Sequence, residues 1–267
     1  MAANIRRPLA LVTGASSGIG EELARCFARA NHDVVLVARN ADKLRSLACE
    51  IEDLYQIKAL VLPADLSQPE SARRLAATLK RRRRIPDVLV NCAGVLEHRQ
   101  FAQMKPAQHQ AIIDLNVSAL TSMLSHFLPQ MLKRGSGRVL NVASIAAFQP
   151  VPTLATYAAS KAYVLSLTES LSQELQGSGV TMTALCPGIT ATNMLSAATQ
   201  ANQNLSKLPG FLIGNVDDVA RQGFDACMRG DAICVPGLLN RAAMLASRST
   251  PKWLLRRMSG MWARRVE

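Results

Sequence analysis

Tyr157 and Lys161 stand four residues apart in Tyr157-Ala-Ala-Ser-Lys161, and Ser144 precedes them at the end of an apolar run. On a helix, residues at i and i+4 share a face, so the phenol and the ammonium would lie side by side. A neighbouring cation favours the phenolate and draws a phenol pKa down from its ordinary value near 10 toward working pH. Such a phenol can exchange a proton with a substrate oxygen, and the Ser144 hydroxyl can donate a second hydrogen bond to the same oxygen. An isolated Tyr-x-x-x-Lys is often only a helix surface, so its meaning depends on what the rest of the chain supplies.

The chain supplies a glycine-rich turn, Thr13-Gly14-Ala15-Ser16-Ser17-Gly18-Ile19-Gly20, between a β-branched apolar run and a helical pattern. Glycines there let backbone approach a pyrophosphate and aim a helix N-terminus at it, although glycines at a strand end also serve plain tight turns. The next apolar run ends Val37-Ala38-Arg39-Asn40. At this point a carboxylate would bind an NAD ribose and an Arg would accept a 2′-phosphate. The carboxylate is missing and Arg39 is present, which favours NADP(H) over NAD(H), with Ser16 and Ser17 as further donors. The alternative for Arg39 is a solvated surface side chain. A tuned phenol beside such a cofactor suits hydride exchange between a carbon and nicotinamide, coupled to proton transfer at the oxygen.

These residues need elements to position them. Short apolar runs at 9–13, 34–38, 59–62, 88–91, 139–142, 180–185 and 233–235 alternate with helical patterns at 18–30, 41–55, 69–83, 106–134, 157–176 and 216–229. Such alternation implies βαβ units and an α/β, Rossmann-type, doubly wound and mostly parallel sheet in a single domain. The division expected is a catalytic domain over 1–240 and a basic tail over 241–267. In this architecture ligands bind beyond the carboxyl ends of the strands. Three more strand ends carry suitable residues: Asp65 for an adenine amino group, Asn91-Cys92-Ala93-Gly94 as a small surface for a ribose, and Pro187-Gly188-Ile189-Thr190-Ala191-Thr192 for a carboxamide. Each segment is also a common turn sequence, and their shared position gives them weight together.

Taken together, Thr13 to Gly20, Asp65, Asn91 to Gly94, Asn116, Ser144, Tyr157-x-x-x-Lys161 and Pro187-Gly188 resemble the compact single-domain branch of the short-chain dehydrogenase/reductase family, over residues 8–237. The resemblance implies that Tyr157 is the acid/base and that Ser144 polarises the substrate oxygen. It further implies that Lys161 tunes Tyr157 and binds the nicotinamide ribose, while Asn116 holds a water in the proton relay. Asn116 would otherwise read as a polar helix residue. One departure is Ser17, at a loop position where some NADP-preferring relatives carry Lys or Arg, so the cofactor preference rests on Arg39. The family usually assembles through helices corresponding to 106–134 and 157–176, which implies a homodimer or homotetramer.

Of 267 residues, 49% are hydrophobic and 19% charged, and 31 Lys and Arg against 19 Asp and Glu leave a net charge of +12. That composition excludes a disordered or collagen-like chain. The six cysteines have no Cys-x-x-Cys pair and no histidine at metal spacing, so no zinc cage is expected and a reducing, cytoplasmic setting is the simplest reading. Polar and proline interruptions of the uncharged stretches argue against a membrane span. Nucleic-acid binding would need stacking aromatics among the basic residues, and the Lys80-Arg-Arg-Arg-Arg84 run has none; a solvated helix end is its expected role. Residues 241–267 hold seven Lys and Arg against one Glu, together with Trp253 and Trp262. A helix opened there by Pro251 would be basic and amphipathic, suited to packing on a subunit or to peripheral contact with a membrane surface.

The expected substrate is a carbonyl or alcohol of a hydrophobic small molecule, with pocket walls from 95–101, 145–153 and a lid over 193–215. Cells keep NADP(H) mostly reduced, so carbonyl reduction is the expected direction. The competing reading is a non-catalytic NADP-binding or interaction protein on the same fold, which would have no need of a tuned phenol.

Overall fold

A computed structural model describes residues 6–190 and 213–249. Seven parallel strands form one sheet: β1 (Leu9–Thr13), β2 (Asp33–Val37), β3 (Ala59–Val61), β4 (Val88–Asn91), β5 (Gly137–Val142), β6 (Val180–Leu185) and β7 (Ile233–Cys234). Their order is β3-β2-β1-β4-β5-β6-β7. The chain returns from the β3 edge to pair β4 with β1, in the register Ala10 with Val88 and Val12 with Val90. That reversal opens a crevice at the carboxyl ends of β1 and β4, as expected for a doubly wound sheet.

Strands β1, β2 and β4 are buried on both faces, which is why they read as continuous apolar runs and not as alternating ones. Leu9 and Leu11 face one layer, packing with Leu75, Leu79, Met123, Phe127 and Val164. Ala10 and Val12 face the other, packing with Leu23, Phe27, Leu44, Ile51 and Val219. The first layer consists of α3 (Ser71–Arg81), α5 (Leu120–Arg134) and α6 (Ala155–Glu174), and the second of α1 (Gly18–Arg29), α2 (Ala41–Tyr55) and α7 (Val216–Arg229). Helix α2 starts where Asn40 accepts a hydrogen bond from the Lys43 amide at 3.0 Å, and α7 where Asn215 accepts one from the Asp217 amide at 2.7 Å.

One expected helix divides. Residues 106–134 form α4 (Pro106–Ile113), a wider π-helical turn over Asp114–Ala119, and then α5. This stretch is long and apolar enough to cross a bilayer by length and composition. In the fold it turns Ile112, Ala119, Met123, Phe127 and Met131 into the core. A further helix, α8 (Leu238–Ser249), follows β7 and runs across residue 240.

The run at 80–84 differs from a wholly solvated helix end. Lys80, Arg81, Arg82 and Arg83 are exposed, but Arg84 turns back to Asp33, pairing Nη2 with Oδ2 at 2.7 Å. Asp33 is 5% exposed and also accepts from the Lys58 amide at 3.0 Å. A buried carboxylate left without its cation is destabilising, and the half-exposed Arg limits the loss. We expect Arg84→Gln to lower the unfolding free energy by about 1–2 kcal/mol in urea titration, while Arg82→Gln changes it by less than about 0.5 kcal/mol. Equal losses would dismiss the pairing as a stabilising contact.

Candidate active site

The glycine turn is set by close approach. Gly14 and Gly18 adopt positive φ, +69° and +59°. A Cβ on Gly14 would lie 3.0 Å from the Ala93 backbone, and one on Gly20 would lie 2.4 Å from the Gly14 carbonyl oxygen. These positions therefore hold α1 against the turn and the turn against the end of β4. Thr13 locks the junction: its buried hydroxyl donates to the Val90 carbonyl at 3.2 Å and accepts from the amides of Cys92 and Ala93 at 3.0 and 3.1 Å. In sequence Thr13 ends the first apolar run and opens the glycine turn, and its hydroxyl is the one sign there of these three bonds.

Ser17 is the N-cap of α1, and its side chain makes no capping bond. Its hydroxyl, with that of the half-buried Ser16, is therefore available beside a helix N-terminus. Arg39 is exposed just beyond β2, close enough to Asp65 for its charge to help hold that carboxyl below the ordinary range, after the larger effect of hydrogen bonding from Ser67. A backbone cradle that any Cβ would fill, an uncommitted cap hydroxyl and a cation at the second strand end together fit a phosphorylated dinucleotide. In that fit Gly14 to Gly20 would hold pyrophosphate, Arg39 a ribose phosphate and Asp65 the adenine edge.

The Asn91 carboxamide turns away from this surface. It is 4% exposed and donates to Asn141 Oδ1 at 2.9 Å, and Asn141 donates to Thr168 at 3.0 Å. Asn91 thus ties β4 to β5, Asn141 ties β5 to α6, and Ala93 and Gly94 are left to form the surface of the segment. Asn91 Oδ1 has no hydrogen-bond partner among the described residues.

Ser144, Tyr157, Lys161 and Asn116 are all buried and lie around the end of β5. Ser144 is extended, and its Oγ accepts from the Ala146 amide at 3.1 Å, which leaves its O–H to donate elsewhere. The next amide, that of Ile145, donates to the Pro187 carbonyl at 3.0 Å, joining this loop to Pro187-Gly188. Tyr157 and Lys161 stand in the first two turns of α6. The Lys161 ammonium donates to the Val142 carbonyl at 2.8 Å and lies 5.8 Å from the Tyr157 ring centre.

Burial dominates both titrations. It pushes the Tyr157 phenol above its ordinary value, with a hydrogen bond from Ser144 offsetting part of the rise. It also pulls Lys161 down to about 8. The i, i+4 spacing had led us to expect the ammonium to draw the phenol pKa down toward working pH; in the fold, removal of the phenol from water is the largest effect and acts in the opposite direction. Cys92 and Cys186 flank the same lysine, and burial raises each thiol to about 12, so both remain protonated.

Asn116 sits in the π-helical turn, a distortion that often marks functional positions. Its Nδ2 donates to the Val95 carbonyl and to Ser160 Oγ, both at 3.0 Å, and its Oδ1 accepts from the Val95 amide at 2.9 Å. Ser160 in turn donates to the Tyr157 carbonyl at 2.7 Å, so the carboxamide clamps the segment after β4 onto α6. Both amide hydrogens are committed, and a water could reach this side chain only through Oδ1. A Cβ on Gly94 would lie 3.2 Å from Asn116 Oδ1 and 3.4 Å from Lys161 Nζ, which explains the glycine and places these groups in one cluster. Ser160, inside the Tyr-x-x-x-Lys segment, was overlooked in sequence because a helical Ser carries no distinctive signal.

Around the phenol lies a small apolar set, Ala146 and Ala158 with Leu96, Val151 and Leu154. Thr153, at φ +65°, meets His98 Nε2 at 3.0 Å through its hydroxyl. Thr190 is buried and donates to the Gly188 carbonyl at 3.0 Å. Thr192 and, of the expected lid over 193–215, residues 193–212 lie outside the described residues.

The short chain dehydrogenase family model matches residues 8–203. An uncharacterized oxidoreductase of Staphylococcus epidermidis is 33% identical over 192 residues, covering 72% of this chain and 82% of the relative. The ketoacyl reductase HetN of Nostoc is 33% identical over 195 residues, covering 72% and 67%. A short-chain dehydrogenase from Sphingobium yanoikuyae, solved in complex with NADPH, superposes with a TM-score of 0.80 at 30% identity, covering 91% of this chain and 96% of that one. With a parallel seven-stranded sheet, a glycine cradle at its switch point and a buried Ser-Tyr-Lys cluster beside it, the chain belongs to the short-chain dehydrogenase/reductase family of oxidoreductases.

Proposed function

We propose that the protein is an NADP(H)-dependent reductase of a ketone or other carbonyl on a hydrophobic small molecule, able to oxidise the matching secondary alcohol in reverse. The observation that carries this reading is the buried cluster of Ser144, Tyr157 and Lys161, with a protonated phenol among apolar neighbours. A dinucleotide held by Gly14 to Gly20 would supply hydride to the carbonyl carbon. Tyr157, kept neutral by burial, donates its proton to the carbonyl oxygen as that oxygen gains charge, and Ser144 donates a hydrogen bond to the same atom. Lys161 holds a positive charge next to Gly94, where it would bind the nicotinamide ribose. Asn116 keeps the segment after β4 seated on α6 and would hold a relay water through Oδ1. Thr190 and Thr192, with Pro187 and Gly188, would hold the carboxamide.

NADP(H) is preferred over NAD(H) on the strength of Arg39 and the missing carboxylate beside it. Leu96, Val151 and Leu154 favour an apolar substrate, and the reduced state in which cells keep NADP(H) favours reduction. In this reading the protein is a cytoplasmic homodimer or homotetramer; Ile113 and Tyr163, each 39% exposed on the α4 and α6 faces, support the subunit contact. Residues 241–267 carry either a subunit contact or a membrane-surface contact.

Three measurements test this reading. NADPH should raise the melting temperature more than NADH does, and Arg39→Gln should weaken NADPH binding about tenfold, a cost of about 1.4 kcal/mol. Equal shifts from the two cofactors in the parent chain would reject the preference. Tyr157→Phe should lower kcat for any carbonyl turned over by at least about a hundredfold and leave the NADPH-induced shift intact; unchanged turnover would remove the phenol from the chemistry. Because burial lowers Lys161 to about 8, its charge is present below that pH and lost as pH rises through it. The reductive kcat/KM should therefore fall above about pH 8, and a profile level to pH 10 would contradict a role for the charged lysine.

A further inference from the structure

Helix α8 carries its leucines on the outside. Its inward side holds Asn240 and Met244: Asn240 Nδ2 donates to the Pro236 carbonyl at 2.7 Å, and Met244 packs on the core. A Cβ on Gly188 would lie 2.6 Å from Asn240 Nδ2, so this end of the helix is seated against the Pro187-Gly188 segment. Arg241 fixes the same end by donating from Nε to the Val235 carbonyl at 2.9 Å. The opposite side presents Leu238, Leu239 and Leu245, which are 83%, 61% and 60% exposed, with exposed Ala242 and Ala246 among them. At 3.6 residues per turn these five positions fall on one half of the helix. A surface helix normally shows polar residues there, and a contiguous exposed apolar face marks a contact.

Charge selects among possible occupants. Residues 241–267 bring seven Lys and Arg against one Glu, and both of the chain's tryptophans. A second copy would bring the same positive excess with it, so like charges would oppose that pairing. An anionic lipid surface complements the excess, and tryptophan favours the boundary between headgroups and acyl chains. A few leucines or a basic segment alone gives marginal, reversible binding, whereas the two together make a stable surface contact. With 12 residues, α8 is about 18 Å long, short of the roughly 30 Å hydrocarbon core. It would lie on a membrane and not cross it.

We propose that the Leu238–Leu239–Leu245 face of α8 docks the protein on a bilayer, and that the positive charge of the 241–267 sequence makes that bilayer an anionic one. Helix α8 starts beyond the carboxyl ends of β6 and β7, the end of the sheet at which Ser144 and Pro187 lie. Docking brings that end to the lipid and makes a lipid-dissolved carbonyl the substrate class, a consequence that rests on the reductase reading; docking itself does not. The test is co-sedimentation of the full chain with phosphatidylglycerol–phosphatidylcholine vesicles and with phosphatidylcholine vesicles, for the parent and for Leu238→Gln/Leu245→Gln. Both substituted side chains are solvent-facing, and an unchanged melting temperature checks that the variant is folded. Binding to the anionic vesicles at least about tenfold tighter than to the neutral ones, weakened about tenfold in the variant, supports the proposal. Three results overturn it: no sedimentation of the parent with anionic vesicles, equal sedimentation of parent and variant, or loss of a chain dimer in the variant with vesicle binding unchanged. None of these depends on turnover, so a failure of docking is separable from a failure of the reductase assignment.

Discussion

The contact that orders the rest of the molecule is backbone against backbone at the first strand–helix turn. A Cβ on Gly20 would lie 2.4 Å from the Gly14 carbonyl oxygen, and one on Gly14 would lie 3.0 Å from Ala93. Only glycine allows α1 to come this near the end of β1 and lets that turn rest on the segment after β4. Thr13 then closes the junction with three hydrogen bonds to β4 and the residues beyond it. Because β1 and β4 are neighbours on opposite sides of the strand-order reversal, the junction fixes both walls of the crevice. The helix N-terminus, the small surface at Ala93 and Gly94, and the lysine behind it are brought into register by one close approach.

Burial does the electrostatic work at the other wall. The same removal from water raises the phenol of Tyr157 and lowers the ammonium of Lys161, since each shift disfavours the charged form. A group meant to give a proton to a carbonyl oxygen is served by staying neutral until the oxygen becomes basic. A lysine held near 8 keeps most of its charge at neutral pH and remains responsive to its surroundings. The chain meets the cost of burying that lysine with the Val142 carbonyl, and with Gly94, whose missing side chain leaves room for the ammonium and for Asn116 together.

The charge of +12 separates into groups with different surroundings. Arg84 neutralises a buried carboxylate, Lys161 is enclosed beside the phenol, and Arg39 is exposed at the second strand end. The largest single share belongs to 241–267, which begins inside α8, a helix whose outer face is apolar. A basic segment next to exposed leucines has a different physical meaning from the same charge spread over a polar surface, because the apolar area supplies a reason for contact and the charge selects its sign.

Much of this was legible in the sequence. Seven apolar runs separated by helical patterns sufficed for the parallel α/β sheet, since strands buried on both faces leave a continuous hydrophobic trace. The glycine spacing and the i, i+4 pair marked the two walls of the site because both are local patterns. What the chain alone did not reveal depends on partners far apart along it. Asn91 reads as a surface residue until the sheet pairs it with Asn141, and Arg84 reads as solvated until β2 brings Asp33 to it across 51 residues. The widened turn at Asn116 interrupts a helical pattern that continues on both sides, so periodicity passes over it. The direction of the Tyr157 shift was likewise settled only in three dimensions: spacing along a helix shows which charges are near, but burial, a property of the packed fold, decides which of them prevails.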